Sequence, residues 1–242
     1  MPDPIFADRR LARIYDPLDP DRGDLDAYAA IVAEFGARSV LDVGCGTGSF
    51  ACVLAARGVE VVGVDPAEAS LEVARGKPGA ERVRWILGDA TTLPPMRADL
   101  ATMTGNVAQV FLTDEDWTAT LRGIRACLRP EGVLVFETRD PARRAWQEWD
   151  RRQTLSTTDI PGVGAVETWC EVLDVSEPLV TFRWTYVFAR DGAVVTSDST
   201  LRFRGRDEVE RSLRRSGFRV EDVRDAPDRP GREFVFVARP VL

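Results

Sequence analysis

The 242-residue chain contains no histidine, and its only lysine is Lys77. Without imidazole there is no serine triad, no histidine general base and no histidine metal cluster. Any proton acceptor must be Asp, Glu, Tyr, Cys, Lys77 or water. Lys77 stands between Gly76 and Pro78 in an apparent loop and is assigned no role. Cysteine is sparse too: Cys45, Cys52, Cys127 and Cys170 show no C-x-x-C spacing. No metal site is expected, and the thiols read as reduced and cytoplasmic. No apolar run approaches the length of a membrane span. The first ten residues, Met1 to Arg10, lack the apolar stretch of a signal peptide. An excess of basic charge is missing as well: the formal net charge is −7, which argues against bulk nucleic acid as a substrate. With 44% hydrophobic residues, the chain supports one buried core plus an addition.

What is present centres on Val40-Leu-Asp-Val-Gly-Cys-Gly-Thr-Gly48. A short apolar strand over 39–43 breaks into Gly44, Gly46 and Gly48, and a helical pattern with Phe50, Val53 and Leu54 follows. Glycines at i, i+2 and i+4 permit backbone shapes that side chains forbid and let a ligand lie against the main chain. The next helix offers free N–H groups and a positive dipole end. A second strand over 60–65 ends in Asp65, an acid at the crevice rim with few packing contacts, where a ribose would place its hydroxyls. The ligand is either a dinucleotide or a nucleoside with a shorter anionic tail. The pattern G-x-G-x-G leans to the nucleoside, although Ser49 occupies the place of a third small residue. A third strand over 82–87 ends at Gly88-Asp89, one layer further out, a position suited to an adenine amino group. Asp89 reads alternatively as a loop aspartate capping a turn.

These residues resemble the class I S-adenosylmethionine-dependent methyltransferases. The likeness runs from the first glycine motif through Val64-Asp65-Pro66 and Gly88-Asp89-Ala90 to Leu128-Arg-Pro-Glu-Gly-Val133. It implies an α/β fold: a Rossmann-like, doubly wound, mostly parallel seven-stranded sheet with an antiparallel last strand. It implies S-adenosylmethionine as cofactor, with Asp42, Gly44, Cys45, Gly46 and Gly48 around the methionine end. Asp65 and Pro66 would serve the ribose, and Asp89 and Ala90 the adenine. Thr104 would approach from the fourth strand. The expected activity is in-line methyl transfer to an N, C or acidic O atom of a small molecule. Other readings are a nucleotide-dependent oxidoreductase of Rossmann type and a cofactor-binding protein with a dead site.

The remaining chain supplies an arm, an insertion and an acceptor side. Residues 1–24 read as an irregular, proline-punctuated arm, and the resemblance implies that it closes over the cofactor. Tyr15 is then a lid contact, or equally an anchor that buries its ring. The fourth strand over 99–103 runs into Thr104-Gly105-Asn106 at the switch point of the sheet, so Asn106 faces the acceptor or simply makes a turn. The fifth strand over 133–138 places Glu137 and Arg139 at the same crevice. These four residues, Tyr15, Asn106, Glu137 and Arg139, are the acceptor-side candidates; no catalytic residue is singled out among them. Trp146 and Trp149 fall on a short segment after it. The stretch 154–204 reads as an inserted antiparallel addition of three strands, 167–175, 180–188 and 194–204. The middle one carries Val180, Phe182, Trp184, Tyr186 and Phe188 on one face. This face either covers the acceptor pocket or forms a dimer surface, leaving a monomer or a homodimer open. Asp207 reads as the cap of the last helix. Strands over 218–223 and 233–238 form a closing pair; in the loop 225–231 that joins them and just beyond it, Arg229 and Arg232 are within reach of an acidic acceptor if the first of the two is parallel to the others.

Overall fold

The computed structural model of the protein describes residues 2–20 and 22–241. Its helices are α1 (Pro4–Ala7), α2 (Arg9–Leu18), α3 (Gly23–Glu34), α4 (Ser49–Ala56), α5 (Glu68–Arg75), α6 (Asp114–Cys127), α7 (Arg151–Thr154) and α8 (Arg206–Arg215). The strands are β1 (Ser39–Val43), β2 (Glu60–Asp65), β3 (Val83–Leu87), β4 (Ala98–Met103), β5 (Leu128–Arg139), β6 (Ser156–Ile160), β7 (Gly164–Ser176), β8 (Leu179–Phe188), β9 (Val194–Arg202), β10 (Phe218–Asp225) and β11 (Glu233–Pro240). Seven of them form one sheet in the order β10-β11-β5-β4-β1-β2-β3. β1 pairs in parallel with both β2 and β4, so the winding reverses there and opens a crevice at the carboxyl ends. β11 is antiparallel to β5 and to β10, which leaves β10 parallel to the rest.

Both faces of this sheet are buried, and the side chains alternate between them with period two. Val40, Leu100, Val133, Val135, Val235 and Val237 pack under α3 and α4. Leu41, Met103, Leu134, Phe136 and Phe236 pack under α6 and α8, with Trp117, Leu121, Val209 and Leu213. Phe136 and Phe236 stack with centroids 5.2 Å apart, and Trp117 meets Phe136 edge-on at 5.6 Å.

The arm is helical rather than irregular. Pro4 occupies the first turn of α1, where no intrahelical donor is needed, and Pro17 falls in the last turn of α2. Asp8 caps α2 through Arg10 and Leu11 N–H at 2.7 and 3.0 Å. Its apolar stripe, Leu11 and Ile14, is buried with Ile5 against Val166, Tyr186 and Phe188 of a second sheet.

That second sheet is a four-stranded antiparallel meander, β6-β7-β8-β9. It has one strand more than expected. β6 reads Ser-Thr-Thr-Asp-Ile, too polar to show an alternating apolar pattern. The aromatic face of β8 is covered inside the chain by α1, α2 and the segment of Trp146 and Trp149. Val180 and Phe188 are at most 1% exposed, so the argument for a dimer through that face fails. Arg202 and Arg204, at and just past the end of β9, donate to the carbonyls of Leu112 (3.0 Å), Phe111 (2.7 Å) and Thr113 (3.2 Å), tying the insertion to the segment after β4.

One cap differs from expectation. α8 begins at Arg206 with Gly205 as its cap residue, so Asp207 lies in the first turn. The cap residue of α5 is Ala67, which places Asp65 and Pro66 just outside the helix. No helix among the described residues is long and apolar enough to cross a membrane.

One helix position bears directly on the crevice. A Cβ on Gly123 of α6 would stand 2.1 Å from the carbonyl oxygen of Ala90. Gly→Ala inside a helix ordinarily gains about 1 kcal/mol. Here Gly123→Ala is expected to cost about 1–3 kcal/mol through overpacking, read by chemical denaturation, because backbone must move to admit it. An unchanged or raised stability would show that the loop of Asp89 and Ala90 is not held against α6.

Candidate active site

The glycine turn joins β1 to α4 and lies at the carboxyl edge of the sheet. Gly44, Gly46 and Gly48 all take left-handed φ, +72°, +53° and +76°. Two of them also have no room for a side chain: a Cβ on Gly44 would meet Val107 at 2.6 Å, and one on Gly48 would meet Trp85 at 2.4 Å. Gly46 differs, because nothing lies within 4 Å of its Cβ position. The turn therefore packs against protein at both ends and presents open space at its middle, as a cradle for a ligand would.

Asp65 fixes that middle. Gly46 N–H donates to Asp65 Oδ2 and Ala67 N–H to Oδ1, both at 2.8 Å. Burial raises the pKa of this carboxyl, and the two backbone bonds pull it back. At 7% exposure Asp65 is a buried organiser of the turn, where the sequence suggested a rim acid with few contacts. Its oxygens keep lone pairs for a ribose hydroxyl. Asp42 lies one layer deeper between β2 and β4. Thr102 Oγ1 donates to its Oδ1 at 2.9 Å, while Oδ2 is buried without a partner. Burial, reinforced by Asp65 and offset by Thr102, pushes this carboxyl up to about 7. The Cys45 thiol packs beside Gly63 and is pushed well up by burial, so it is no thiolate. Pro66 is exposed, and Ala90 is buried beneath Gly123. Asp89 is exposed, and its Oδ1 accepts from Thr91 N–H at 2.7 Å and Thr91 Oγ1 at 2.5 Å. It caps its own turn, and its second oxygen has no partner among the described residues.

The arm reaches this turn through a residue that the sequence did not single out. Thr47 Oγ1 and Ser49 Oγ donate to Asp16 Oδ1 at 2.7 and 3.1 Å. Lys77 Nζ pairs with Asp16 Oδ2 at 2.7 Å and donates to Ser49 Oγ at 2.6 Å. Lys77 thus has a role after all, as the cation that locks α2 onto the turn. Tyr15, its neighbour, lies in α2 with its ring 5.6 Å from that of Phe6. Burial raises its phenol pKa, which Arg22 and Arg139 partly offset. Tyr15 is thus an anchor with its hydroxyl among the acceptor-side charges.

Those charges gather where β4 and β5 end and β11 begins. Asn106 adopts φ +62°, its N–H donates to Glu137 Oε1 at 2.8 Å, and its Nδ2 donates to Glu233 Oε1 at 3.3 Å. Glu137 is buried and pushed up to about 7, chiefly by desolvation and against the pull of Asn106 N–H; Glu233 adds to the rise. Tyr28 of α3 faces the same carboxyl, and burial holds its phenol neutral. Arg139 Nη1 donates to Gln109 Oε1 at 3.0 Å. Arg229 donates to Glu233 at 2.9 Å and Arg232 pairs at the surface with Glu148, so neither is free for an acidic acceptor as the sequence had suggested. Thr104 lies half-buried between β4 and this cluster. Tyr28, Gln109 and Glu233 carry no motif, and only the three-dimensional fold brings them here. Among the described residues no group of three or more His, Cys, Asp or Glu side chains is placed to hold a metal ion.

A doubly wound sheet with a ligand-open glycine turn, an acid at the end of β2 and a cluster of acids at the switch point defines an α/β architecture suited to a nucleoside ligand. Residues 40–132 match the family model described as methyltransferase domain. The cypemycin N-terminal methyltransferase of a Streptomyces species is 34% identical over 147 residues, 59% of this chain and 60% of that one. The chain spans about half to three-fifths of the length of the curated relatives it matches. The fold is shared with the CcbJ methyltransferase of Streptomyces caelestis (TM-score 0.78, 23% identity, 96% of each chain covered). It is shared also with the sugar N-methyltransferase KedS8 of a Streptoalloteichus species (TM-score 0.77, 19% identity, 94% of this chain and 93% of that one). Residues 40–132 are thus similar to the methyltransferase domain family, and the chain shares its fold with S-adenosylmethionine-dependent methyltransferases.

Two outcomes follow from the buried acids. Asp65→Ala strands two backbone donors and should cost about 2–4 kcal/mol of stability as well as cofactor binding. Denaturation and S-adenosylhomocysteine titration read the two losses, and an intact stability would mean the turn holds its shape without the carboxylate. Glu137 has a folded pKa of about 7 against an ordinary 4.5. Its neutral form is favoured by folding, so its contribution is complete below pH 4.5 and is lost as pH rises through about 7. The melting temperature of Glu137→Gln should therefore fall less than that of the parent between pH 5 and pH 8; parallel curves would refute the burial argument.

Proposed function

We propose that this protein transfers the methyl group of S-adenosylmethionine to an amine nitrogen of a small molecule. The observation that carries the cofactor half is the glycine turn, open only at Gly46 and pinned there by Asp65. The turn and the start of α4 would receive the methionine end, with Asp42 beneath. Asp65 and Pro66 would border the ribose, Asp89 and Ala90 the adenine, and Thr104 the side nearest β4. S-adenosylmethionine, when bound, supplies a methyl group on a cationic sulfonium, so no residue has to activate the donor.

The acceptor must arrive with a free lone pair, in line, in a space closed to water. α2, locked to the turn by Asp16 and Lys77, provides the closure. Glu137 provides the proton acceptor: its carboxyl is near neutrality at about 7, and its Oε2 has no hydrogen-bond partner. It would take the proton from an incoming ammonium group and leave the nitrogen nucleophilic. An amine is favoured over an ordinary alcohol because an alcohol needs a stronger base than this carboxylate. The names of related proteins, an N-terminal methyltransferase and a sugar N-methyltransferase, agree with nitrogen as the acceptor. A cytoplasmic setting fits four free thiols, and the net charge of −7 fits a small molecule better than nucleic acid.

S-adenosylhomocysteine should bind at about micromolar strength or better and nicotinamide dinucleotides should not, as measured by calorimetry. Labelled methyl transfer to a panel of amines should exceed transfer to matched alcohols. The rate should rise with pH through an apparent pKa near 7. Glu137→Gln should lower kcat by about 100-fold while leaving S-adenosylhomocysteine affinity intact. Preferred transfer to alcohols, or an active Glu137→Gln, would rule out the acceptor assignment.

A further inference from the structure

The acceptor side of the site holds polar atoms that the chain itself does not satisfy, and they fall into two kinds. The first kind are donors. Gln109 is fully buried; its Oε1 is occupied by Arg139 Nη1 at 3.0 Å, and its Nε2 has no partner. The amide orientation follows from that bond, since the guanidinium has only donors to give. Arg139 itself lacks a direct carboxylate partner. Its nearest one, Glu233 Oε1, is 3.7 Å from Nε, and that oxygen already accepts from Arg229 at 2.9 Å and from Asn106 at 3.3 Å. The side chain is only 21% exposed and lies 5.7 Å from the centroid of the Trp149 ring, so water does little to supplement that long, shared ion pair. The second kind are acceptors. Asn106 Oδ1 and Glu137 Oε2 are buried and unpartnered on residues joined by a 2.8 Å backbone bond.

Buried polar atoms ordinarily find partners, and a desolvated guanidinium is matched best by a planar oxyanion. We infer that Arg139 and Gln109 form a carboxylate subsite beside the amine side made by Asn106 and Glu137, so that the acceptor is an amine bearing a carboxylate within a few bonds. The inference rests on the amine methyltransferase reading above and narrows it to amino-acid-like molecules. A neutral acceptor would leave the guanidinium with only the longer, shared contact to Glu233 as counter-charge, and a simple amine would leave Gln109 Nε2 idle. Arg139 and Gln109 are specificity-determining here; the proton acceptor remains Glu137.

The test uses the full chain saturated with S-adenosylhomocysteine, after binding of that compound has been measured separately. The side-chain amide resonances of Gln109 are followed by NMR while sodium acetate, glycine or methylammonium chloride is added, with sodium chloride as the ionic-strength control. Acetate and glycine should shift them saturably, with glycine about tenfold tighter than methylammonium. Arg139→Leu should abolish the acetate response while keeping S-adenosylhomocysteine affinity. Acetate behaving like chloride would overturn the subsite. So would an acetate response that is present without S-adenosylhomocysteine and vanishes on its addition, because the subsite would then belong to the cofactor's own carboxylate. A response to acetate with no gain for glycine would remove the pairing with the amine side. Failure of S-adenosylhomocysteine to bind at all would strike the methyltransferase reading instead, a separate result.

Discussion

The carboxylate of Asp65 bridges Gly46 N–H and Ala67 N–H, and through them it joins the glycine turn after β1 to the start of the chain segment after β2. The rest of the site inherits its geometry from this bridge. Gly44 and Gly48 are clamped by Val107 and Trp85, but the middle of the turn has no packing of its own. An unsupported loop of glycines would sample many conformations, since each glycine loses more freedom on ordering than any other residue. A charged acceptor with two backbone donors is a compact way to select one of them. The raised pKa of Asp65 records the cost of burying it, and the two N–H bonds record what offsets that cost.

The arm extends the same logic from the turn to the whole crevice. Asp16 takes hydroxyl donors from Thr47 and Ser49 and the ammonium of Lys77, while the other end of the arm bonds to α5 and to the second sheet: Ser70 Oγ donates to the carbonyl of Phe6, and Ile5 N–H donates to Ser197 Oγ. Buried between these polar ties are Leu11 and Ile14, packed on Val166 and Phe188. The four-stranded sheet therefore meets the main sheet partly through the arm. Its own aromatic face is consumed in this contact and in the Trp149 and Phe182 pair at 4.7 Å, so it works as cover rather than as a free surface.

Much of this was legible in the sequence, for identifiable reasons. A positive φ selects glycine, so Gly44, Gly46 and Gly48 announce the turn directly. Strands buried on both faces need continuous apolar runs, so β1, β2 and β4 stand out with little ambiguity. What stayed hidden was tertiary. Asp65 looked like a rim acid because sequence shows the charge and not the burial. Lys77 looked idle because its partner Asp16 is far away in sequence and on an element disguised by prolines. Pro4 sits in a first turn, where it is tolerated, Pro17 lies in the last turn of α2, where it forgoes one helical bond, and spacing alone does not distinguish punctuation from irregularity. Glu233 looked like the polar start of a strand. β6 has too few apolar residues to produce a period.

A chain without histidine still needs a group that titrates near neutrality if it is to move a proton, and burial of a carboxylic acid is the means available to it. That solution sets a structural demand, because a buried, partly unpartnered acid destabilises the fold once it ionises. The alternation of β5 and β11 meets the demand. On one face Phe136 and Phe236 stack on each other, and Trp117 meets Phe136 edge-on. On the opposite face the next residue, Glu137, and nearby Glu233 point toward α3 and the arm, where Tyr28, Asn106 and Arg229 surround them. Period two thus places the apolar packing that holds these strands rigid directly behind the acids that strain them. The strand that anchors the core is also the strand that carries the proposed proton acceptor. This is why a single residue step along β5, from Phe136 to Glu137, separates stability from chemistry.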